Sequence, residues 1–143
     1  MAEPIRVLFV CTHNSARSQM AEAFLSALGA GRFEAQSAGI EARGLHPMTI
    51  QAMAEAGYDI SLQRSKTVDE FLDQRFDLVI TVCDEANEAC PYFPNAKERR
   101  AWSFPDPSAA HGDEQTRFRA FEQVRDAVRE RIERELIGST VTG

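Results

Sequence analysis

The sequence has few cysteines, and none of its apolar runs is long. Its 143 residues include three cysteines, an odd number that argues against a fold held together by disulfides. No apolar stretch is long enough to span a bilayer, and the run at residues 7–10 is too short for a signal peptide. We therefore expect a cytoplasmic protein with no membrane partner, whose reduced thiols have chemical roles.

Positive charge is also scarce. Lys and Arg number 16 against 22 Asp and Glu, a formal net charge of −6, which argues against binding to nucleic acid or to an anionic membrane. No repeat, linker or low-complexity tract interrupts the chain, so one domain over residues 1–143 is predicted. A small anionic ligand would have to be attracted by a local positive site.

The chain is organised around a strand, a polar loop and a helix near its start. Residues 5–10 form an almost continuous apolar run, typical of a buried parallel strand. Residues 19–28 place apolar side chains on one helical face, and Gly29 ends the pattern. A polar loop between them, residues 11–18, would aim backbone N–H groups and a helix N-terminus at one point. The loop is therefore predicted to bind an oxyanion.

The loop carries a nucleophile together with groups that would activate it. Cys11 opens the loop, and the positive charge of Arg17 favours the thiolate form of this cysteine. The planar guanidinium of Arg17 can hold two oxygens of a tetrahedral anion, and Ser18 can donate its hydroxyl proton to the thiolate. The alternative is a buried cysteine at a strand end and an arginine on a solvated helix. The predicted oxyanion-binding residues are Thr12, His13, Asn14, Ser15, Ala16 and Arg17.

The rest of the chain alternates strands with helices. This alternation predicts an α/β fold with a parallel sheet, right-handed crossovers and helices on both faces. Ligands bind such sheets at the carboxyl ends of strands, where Cys11 and Cys83 are both expected. Further strands are predicted at residues 32–37, 77–83 and 101–104. Helices are predicted at residues 47–56, 67–72, 84–89 and 118–136, with a capping box formed by Thr67 and Glu70 for the second of these.

Two more cysteines flank a short polar segment. If residues 84–89 are helical, Cys83 and Cys90 are separated by an axial rise of about 10 Å, whereas a disulfide needs Cα atoms roughly 4.4–6.8 Å apart. The two thiols could then bond only if the helix unwinds. One interpretation is a redox relay, and the other is two unrelated cysteines, one in the sheet and one under a loop.

A candidate general acid lies in a rigid turn. Expelling an oxygen from a tetrahedral oxyanion requires a proton, and Asp106, held between Pro105 and Pro107, is a carboxylate of restricted freedom. The alternative is a purely structural Asp-Pro turn. The three histidines show no metal-ligand spacing with one another or with the cysteines, so no zinc site is expected. His13 is expected to line the loop, and His46 and His111 to cap a helix or lie at the surface.

The residues that carry these motifs resemble a known family along nearly the whole chain. The chain is similar to the thioredoxin-coupled arsenate reductases built on the low-molecular-weight tyrosine phosphatase fold. That resemblance implies a four-stranded sheet of order 2-1-3-4, an arsenate or phosphate ligand, thioredoxin as the external reductant and no bound cofactor. A monomer that acts in arsenic detoxification is expected. The matching motifs are residues 11–22, Ser37-Ala38-Gly39, Thr81-Val82-Cys83, Cys90-Pro91 and Asp106-Pro107.

The resemblance also implies a role for each site residue. Cys11 would attack arsenate held by the loop and Arg17, while Asp106 protonates the departing oxygen. Cys83 would then attack Cys11 and release arsenite. Cys90 would take over the disulfide, leaving the Cys83–Cys90 bond for thioredoxin to reduce.

Members of this family that bind potassium beside the loop use residues matching Asn14, Glu22 and Ser37, together with an Asp. Here Lys66 stands at the position of that Asp. We therefore expect a lysine ammonium in place of the cation and an enzyme that is insensitive to potassium.

Two other functions remain open at this stage. The chain could be a phosphatase that hydrolyses aryl or tyrosine phosphates, with Cys83 and Cys90 protecting the nucleophile from oxidation. It could also be a non-catalytic module that binds oxyanions or senses redox state. The Cys83–Cys90 pair favours the reductase.

Overall fold

A parallel sheet forms the centre of the protein, which we describe from a computed structural model covering residues 3–138. The strands are β1 (Ile5–Cys11), β2 (Phe33–Gly39), β3 (Phe76–Thr81) and β4 (Ala96–Ala101). All neighbouring strands pair in parallel, in the order β2-β1-β3-β4. The predicted fold class and strand order are therefore confirmed.

Helices connect the strands. They are α1 (Arg17–Leu28), α2 (Pro47–Glu55), α3 (Asp84–Ala89) and α4 (Glu114–Ile132), the last continued by a π-helical turn at Glu133–Ile137. Single 3₁₀ turns lie at Val68–Phe71 and Pro107–Ala109. No helix within residues 3–138 is long and apolar enough to cross a bilayer.

The apolar run in β1 shows why the sheet is covered on both sides. Residues 7–10 are all fully buried, and successive side chains of a strand point to opposite faces. Both faces of β1 must therefore be packed, which gives the three-layer arrangement. Helix α1 packs against β1 and β2 and meets α4, whereas α3 packs against β1 and β3.

The topology brings the candidate site residues to one edge of the sheet. Strands β1 and β3 are neighbours and run parallel, so their carboxyl ends lie side by side. Cys11 is the last residue of β1, and Cys83 follows β3 as the residue before α3. The chain leaves β1 for β2 on one side and returns to β3 on the other. This is the reversal of strand order at which ligands bind in such sheets.

Two predicted features differ from the structure. The sequence predicts the last strand at residues 101–104, but β4 lies at Ala96–Ala101. The prediction is wrong because this edge strand is charged and lacks the apolar pattern by which a strand is recognised. Beyond Ala101, the chain continues its pairing with the segment after β3 through two hydrogen bonds. Trp102 N–H donates to the Thr81 carbonyl, and Phe104 N–H donates to the Val82 carbonyl.

The predicted capping box is incomplete. The Thr67 side chain makes no capping bond to the turn at Val68–Phe71. The Glu70 carboxylate accepts two hydrogen bonds from Arg64, at 2.8 and 3.0 Å, and it also interacts with the backbone of Thr67.

Candidate active site

The loop between β1 and α1 is held from its outer side. Four of its carbonyls accept backbone N–H bonds of 2.9–3.1 Å from the segment that follows β2. Because the C=O and N–H of a peptide point in opposite directions, these bonds turn the following N–H groups towards the inside of the loop. The result is a ring of inward donors, suited to an oxyanion. The four carbonyl and donor pairs are Cys11 with Ile40, Thr12 with Glu41, His13 with Arg43 and Ser15 with His46.

Asn14 fixes the bend of the loop. Its backbone has φ of 51°, in the left-handed region that few residues other than glycine adopt. The buried side-chain amide accepts from the backbone N–H of Lys66 at 2.7 Å and from Gln19 at 2.8 Å. The same amide donates to the hydroxyls of Ser18 at 2.8 Å and Ser37 at 3.0 Å. Four bonds to three parts of the chain, namely α1, Ser37 and Lys66, hold the strained residue in place.

Gly39 allows the loop to pack against β2. A Cβ at this position would lie 2.2 Å from the Glu41 carbonyl oxygen and 2.7 Å from the Asn14 nitrogen. Both atoms belong to backbone that cannot move without disturbing the loop. Close backbone approach therefore requires glycine here.

The candidate nucleophile is surrounded by donors. Cys11 is 2% exposed. Its sulfur accepts the Asn14 N–H at 3.2 Å and lies 2.7 Å from the Ser18 hydroxyl oxygen. The Ser18 oxygen already accepts a bond from the Asn14 amide. Its single proton is thus available to the sulfur, an arrangement that stabilises a thiolate.

Arg17 and Asp106 face each other beside the loop. The Arg17 guanidinium is buried and donates to the Phe104 carbonyl at 3.1 Å, which directs it across the site. Its Nη2 atom lies 3.9 Å from Oδ2 of Asp106. The other carboxylate oxygen of Asp106 accepts from the backbone N–H and the hydroxyl of Ser108, at 2.9 and 2.7 Å. The predicted acid is therefore brought to the loop, as a cap of the turn at Pro107–Ala109.

Opposing effects act on the Asp106 carboxyl. Burial raises its pKa, but the two hydrogen bonds from Ser108 and the charges of Arg17 and His13 outweigh burial and hold the pKa below its usual range. The free protein at neutral pH therefore carries Asp106 as a carboxylate. A bound oxyanion adds a like charge nearby, which works in the opposite direction and favours the protonated acid.

The second thiol contacts the loop, and the third lies away from it. Cys83 is 1% exposed. Its sulfur is 3.3 Å from the hydroxyl oxygen of Thr12, the residue that follows Cys11 in the chain. Cys90 is half-buried at the other end of α3. Burial raises the pKa of the Cys90 thiol, against a smaller opposite effect of the Arg99 charge. All three cysteines are free thiols in this structure.

The comparison with known proteins agrees with this geometry. The sequence pattern of the low molecular weight phosphotyrosine protein phosphatases matches residues 6–140. The chain belongs to this family.

Within the family, the chain is similar to arsenate reductases. The arsenate reductase of Halalkalibacterium halodurans is 44% identical over 88% of this chain and 91% of that protein. A solved arsenate reductase in the phosphate binding state is 36% identical, with a TM-score of 0.78 over 91% of this chain and 95% of that chain. The thioredoxin-dependent arsenate reductase of Corynebacterium glutamicum is 30% identical, with a TM-score of 0.67 over 93% of this chain and 63% of that chain. The predicted resemblance is confirmed.

A lysine ammonium lies among the residues that match the expected potassium site. Nζ of Lys66 lies 3.2 Å from Oε1 of Glu22, and the Ser37 hydroxyl donates to the same oxygen at 2.6 Å. Both charged side chains are largely buried. Among residues 3–138, no group of three or more His, Cys, Asp and Glu side chains is arranged to hold a metal ion.

The three histidines have different surroundings. His13 lies at the mouth of the loop, 3.9 Å from Glu41, and lines a cleft of about 320 Å³ together with Arg43 and Ser108. His46 caps α2 by accepting the Met48 N–H at 3.1 Å. His111 is exposed.

The residues that support the loop from behind are not predicted by the sequence patterns. Buried Gln19 donates to the Asn14 carbonyl and to the Arg64 carbonyl, and Gln63 in turn donates to the Gln19 side chain at 2.7 Å. The Ser65 hydroxyl donates to the Asn14 carbonyl at 3.0 Å. The one available signal for this network was a glutamine directly before the apolar residues of α1, within the motif at residues 11–22.

Proposed function

We propose that this protein reduces arsenate to arsenite through a Cys11–Cys83–Cys90 relay, with thioredoxin as the external reductant. The observation that carries the proposal is the contact between Thr12 and Cys83. It places a second thiol against the loop that holds the nucleophile. A phosphatase releases its product with water, so its chemistry does not require a second thiol at this place.

In the first step, the inward N–H groups of the loop and the Arg17 guanidinium bind arsenate. The Cys11 thiolate attacks arsenic and forms a sulfur–arsenic bond. Asp106 gives a proton to the departing oxygen, which leaves as water. The Ser18 hydroxyl stabilises the thiolate before the attack.

In the second step, the Cys83 thiolate attacks the sulfur of Cys11. A Cys11–Cys83 disulfide forms, the sulfur–arsenic bond breaks, and its electron pair stays on arsenic. Arsenic(V) thereby becomes arsenic(III), and arsenite leaves. Phosphorus does not readily accept this electron pair, so a bound phosphate would not be reduced.

In the third step, Cys90 attacks the sulfur of Cys83 and displaces Cys11 as a thiolate. The ends of α3 must approach each other to allow the Cys83–Cys90 bond, so the six-residue helix unwinds. A dithiol partner then reduces this disulfide by exchange and becomes a disulfide itself. The thioredoxin dependence of the Corynebacterium glutamicum relative supports thioredoxin in that role.

A second candidate function is hydrolysis of aryl phosphates. It is favoured by the family match and by a loop whose donors suit phosphate as well as arsenate. Water would then attack the Cys11 adduct, and Cys83 and Cys90 would be dispensable. Phosphatase activity at a low level is compatible with the reductase, because both reactions use the same loop.

The decisive experiment is a coupled assay of NADPH consumption with thioredoxin, thioredoxin reductase and arsenate. We expect turnover by the wild-type protein and its collapse in the variants Cys83→Ser and Cys90→Ser. Both variants should still hydrolyse an aryl phosphate. Cys11→Ser should abolish both activities, because a serine hydroxyl is not ionised at neutral pH.

Two results would contradict the proposal. Hydrolysis of aryl phosphate without any arsenate reduction would identify a phosphatase. Arsenate-dependent turnover that survives Cys83→Ser would rule out the relay. Asp106→Asn tests for a non-catalytic module, since an enzyme should slow by about 10²–10⁴-fold whereas a binding protein should keep its affinity for oxyanions.

A further inference from the structure

The middle of α3 is tied to the edge strand of the sheet. Nη2 of Arg99, on β4, donates to the backbone carbonyl of Asn87 at 2.7 Å and to its side-chain Oδ1 at 3.3 Å. The Thr81 hydroxyl, at the end of β3, also donates to Oδ1 of Asn87, at 3.3 Å. Asn87 is thus the residue through which the helix is anchored to two strands.

These bonds are compatible only with a helical α3. Asn87 lies inside the segment Asp84–Ala89, between the two cysteines that the proposed relay joins. The helical backbone of Asn87 orients its carbonyl towards Arg99 and its side chain towards both Arg99 and Thr81. Bringing Cys83 and Cys90 to bonding distance reshapes every turn between them, so the fork of bonds from Arg99 cannot survive intact.

We propose that Arg99 is a positioning residue that holds α3 in its reduced form and so makes the Cys83–Cys90 disulfide easier to reduce. This inference rests on the relay of the proposed function and deepens it. A contact present in the dithiol form and absent from the disulfide form stabilises the dithiol alone. It shifts the equilibrium towards reduction by the free energy of that contact.

The cationic group has a second effect in the same region. Its charge acts on the Cys90 thiol in the direction of the thiolate, although burial has the larger effect. A neutral residue at position 99 would remove both the fork of bonds and this charge. Arg99→Lys keeps the charge but replaces the planar guanidinium, whose Nη2 makes both bonds, with a flexible ammonium, so it separates the two effects.

The test measures the equilibrium between dithiol and disulfide in a Cys11→Ser background, where Cys83 and Cys90 are the only thiols. The protein is equilibrated with mixtures of reduced and oxidised dithiothreitol, quenched in acid and counted for free thiols by alkylation and mass spectrometry. The protein loses two electrons and two protons when it forms its disulfide, and oxidised dithiothreitol gains them.

Arg99→Met should raise the equilibrium constant for disulfide formation by about three- to tenfold, the range expected for the loss of an ordinary intramolecular hydrogen bond. Arg99→Lys should give a smaller increase. Arg100→Met is the matched control. It removes a positive charge from the next residue of β4, but Arg100 pairs with Glu98 and not with Asn87. Hydrogen exchange of residues 84–90 in the reduced protein should quicken in Arg99→Met and stay unchanged in the control.

Several results would overturn the proposal. An unchanged or smaller equilibrium constant in Arg99→Met contradicts it and leaves the relay intact. Equal shifts in the Arg99 and Arg100 variants would assign the effect to charge alone and also contradict it. If the pair forms no disulfide at any ratio of dithiothreitol, the relay fails and the positioning role fails with it.

Discussion

The sulfur of Cys11 and the hydroxyl oxygen of Ser18 lie 2.7 Å apart, where the loop enters α1. The Asn14 amide donates to the same hydroxyl oxygen, and the serine is the donor when Cys11 is a thiolate, because a thiolate has no proton to give. One asparagine thereby positions both the loop backbone and the hydroxyl that contacts the candidate nucleophile.

The first prediction concerns this contact. Ser18→Ala should slow alkylation of Cys11 by iodoacetamide at pH 7 by about 10- to 100-fold, because a hydrogen bond to the charged thiolate is lost. Mass spectrometry of the Cys11 peptide measures the rate. Ser26→Ala, an exposed change on the same helix, is the control and should react like the wild type. An unchanged rate in Ser18→Ala would show that the hydroxyl does not stabilise the thiolate.

The second prediction concerns the pH dependence of the acid step. The bonds from Ser108 favour the charged form of Asp106 and lower its pKa, so Ser108→Ala should raise that pKa. A larger fraction of Asp106 is then protonated at each pH above its pKa. The alkaline limb of aryl phosphate hydrolysis should therefore move to higher pH. Thr116→Val removes the hydroxyl that bonds Asp113 in a similar aspartate cap at the start of α4, and should leave the profile unchanged.

The third prediction concerns the close approach at Gly39. Gly39→Ala should destabilise the protein by about 3 kcal/mol or more and abolish inhibition by phosphate, because the new methyl group overlaps backbone of the loop. Thermal unfolding and inhibition constants measure the two effects. Gly31→Ala, at a positive φ with open space around it, should cost only about 1–2 kcal/mol and bind phosphate normally. Normal phosphate inhibition in Gly39→Ala would disprove the packing argument.

The fourth prediction concerns the buried ion pair of Lys66 and Glu22. Activity should be the same in sodium and potassium salts at equal ionic strength, because the ammonium occupies the place of a cation. Lys66→Met should lower the free energy of unfolding by about 3 kcal/mol, since it leaves the buried Glu22 carboxylate without its partner. A clear rise in the wild-type activity with potassium would contradict the first expectation.

The loop between β1 and α1 was predictable because its signals are local. The apolar run of β1, the polar residues 11–18 and the apolar face of α1 follow one another in the chain. Strand β4 was not predictable in the same way, because an edge strand needs no apolar pattern and this one carries charge at residues 97–100.

The support of the loop was hidden for a different reason. Gln63 lies 44 residues from Gln19 in the sequence, and their contact depends on how a connecting segment packs behind the loop. The pairing of Arg99 with Asn87 likewise depends on the register between β3 and β4. Neither arrangement leaves a periodic trace in the sequence.

The charges on β4 have a consequence for the lifetime of the protein. The proposed relay opens α3 once in every turnover, beside a strand whose outer edge carries unpaired backbone groups. Such an edge can recruit a strand of another molecule. The run of Lys97, Glu98, Arg99 and Arg100 makes that recruitment unfavourable each time the helix opens.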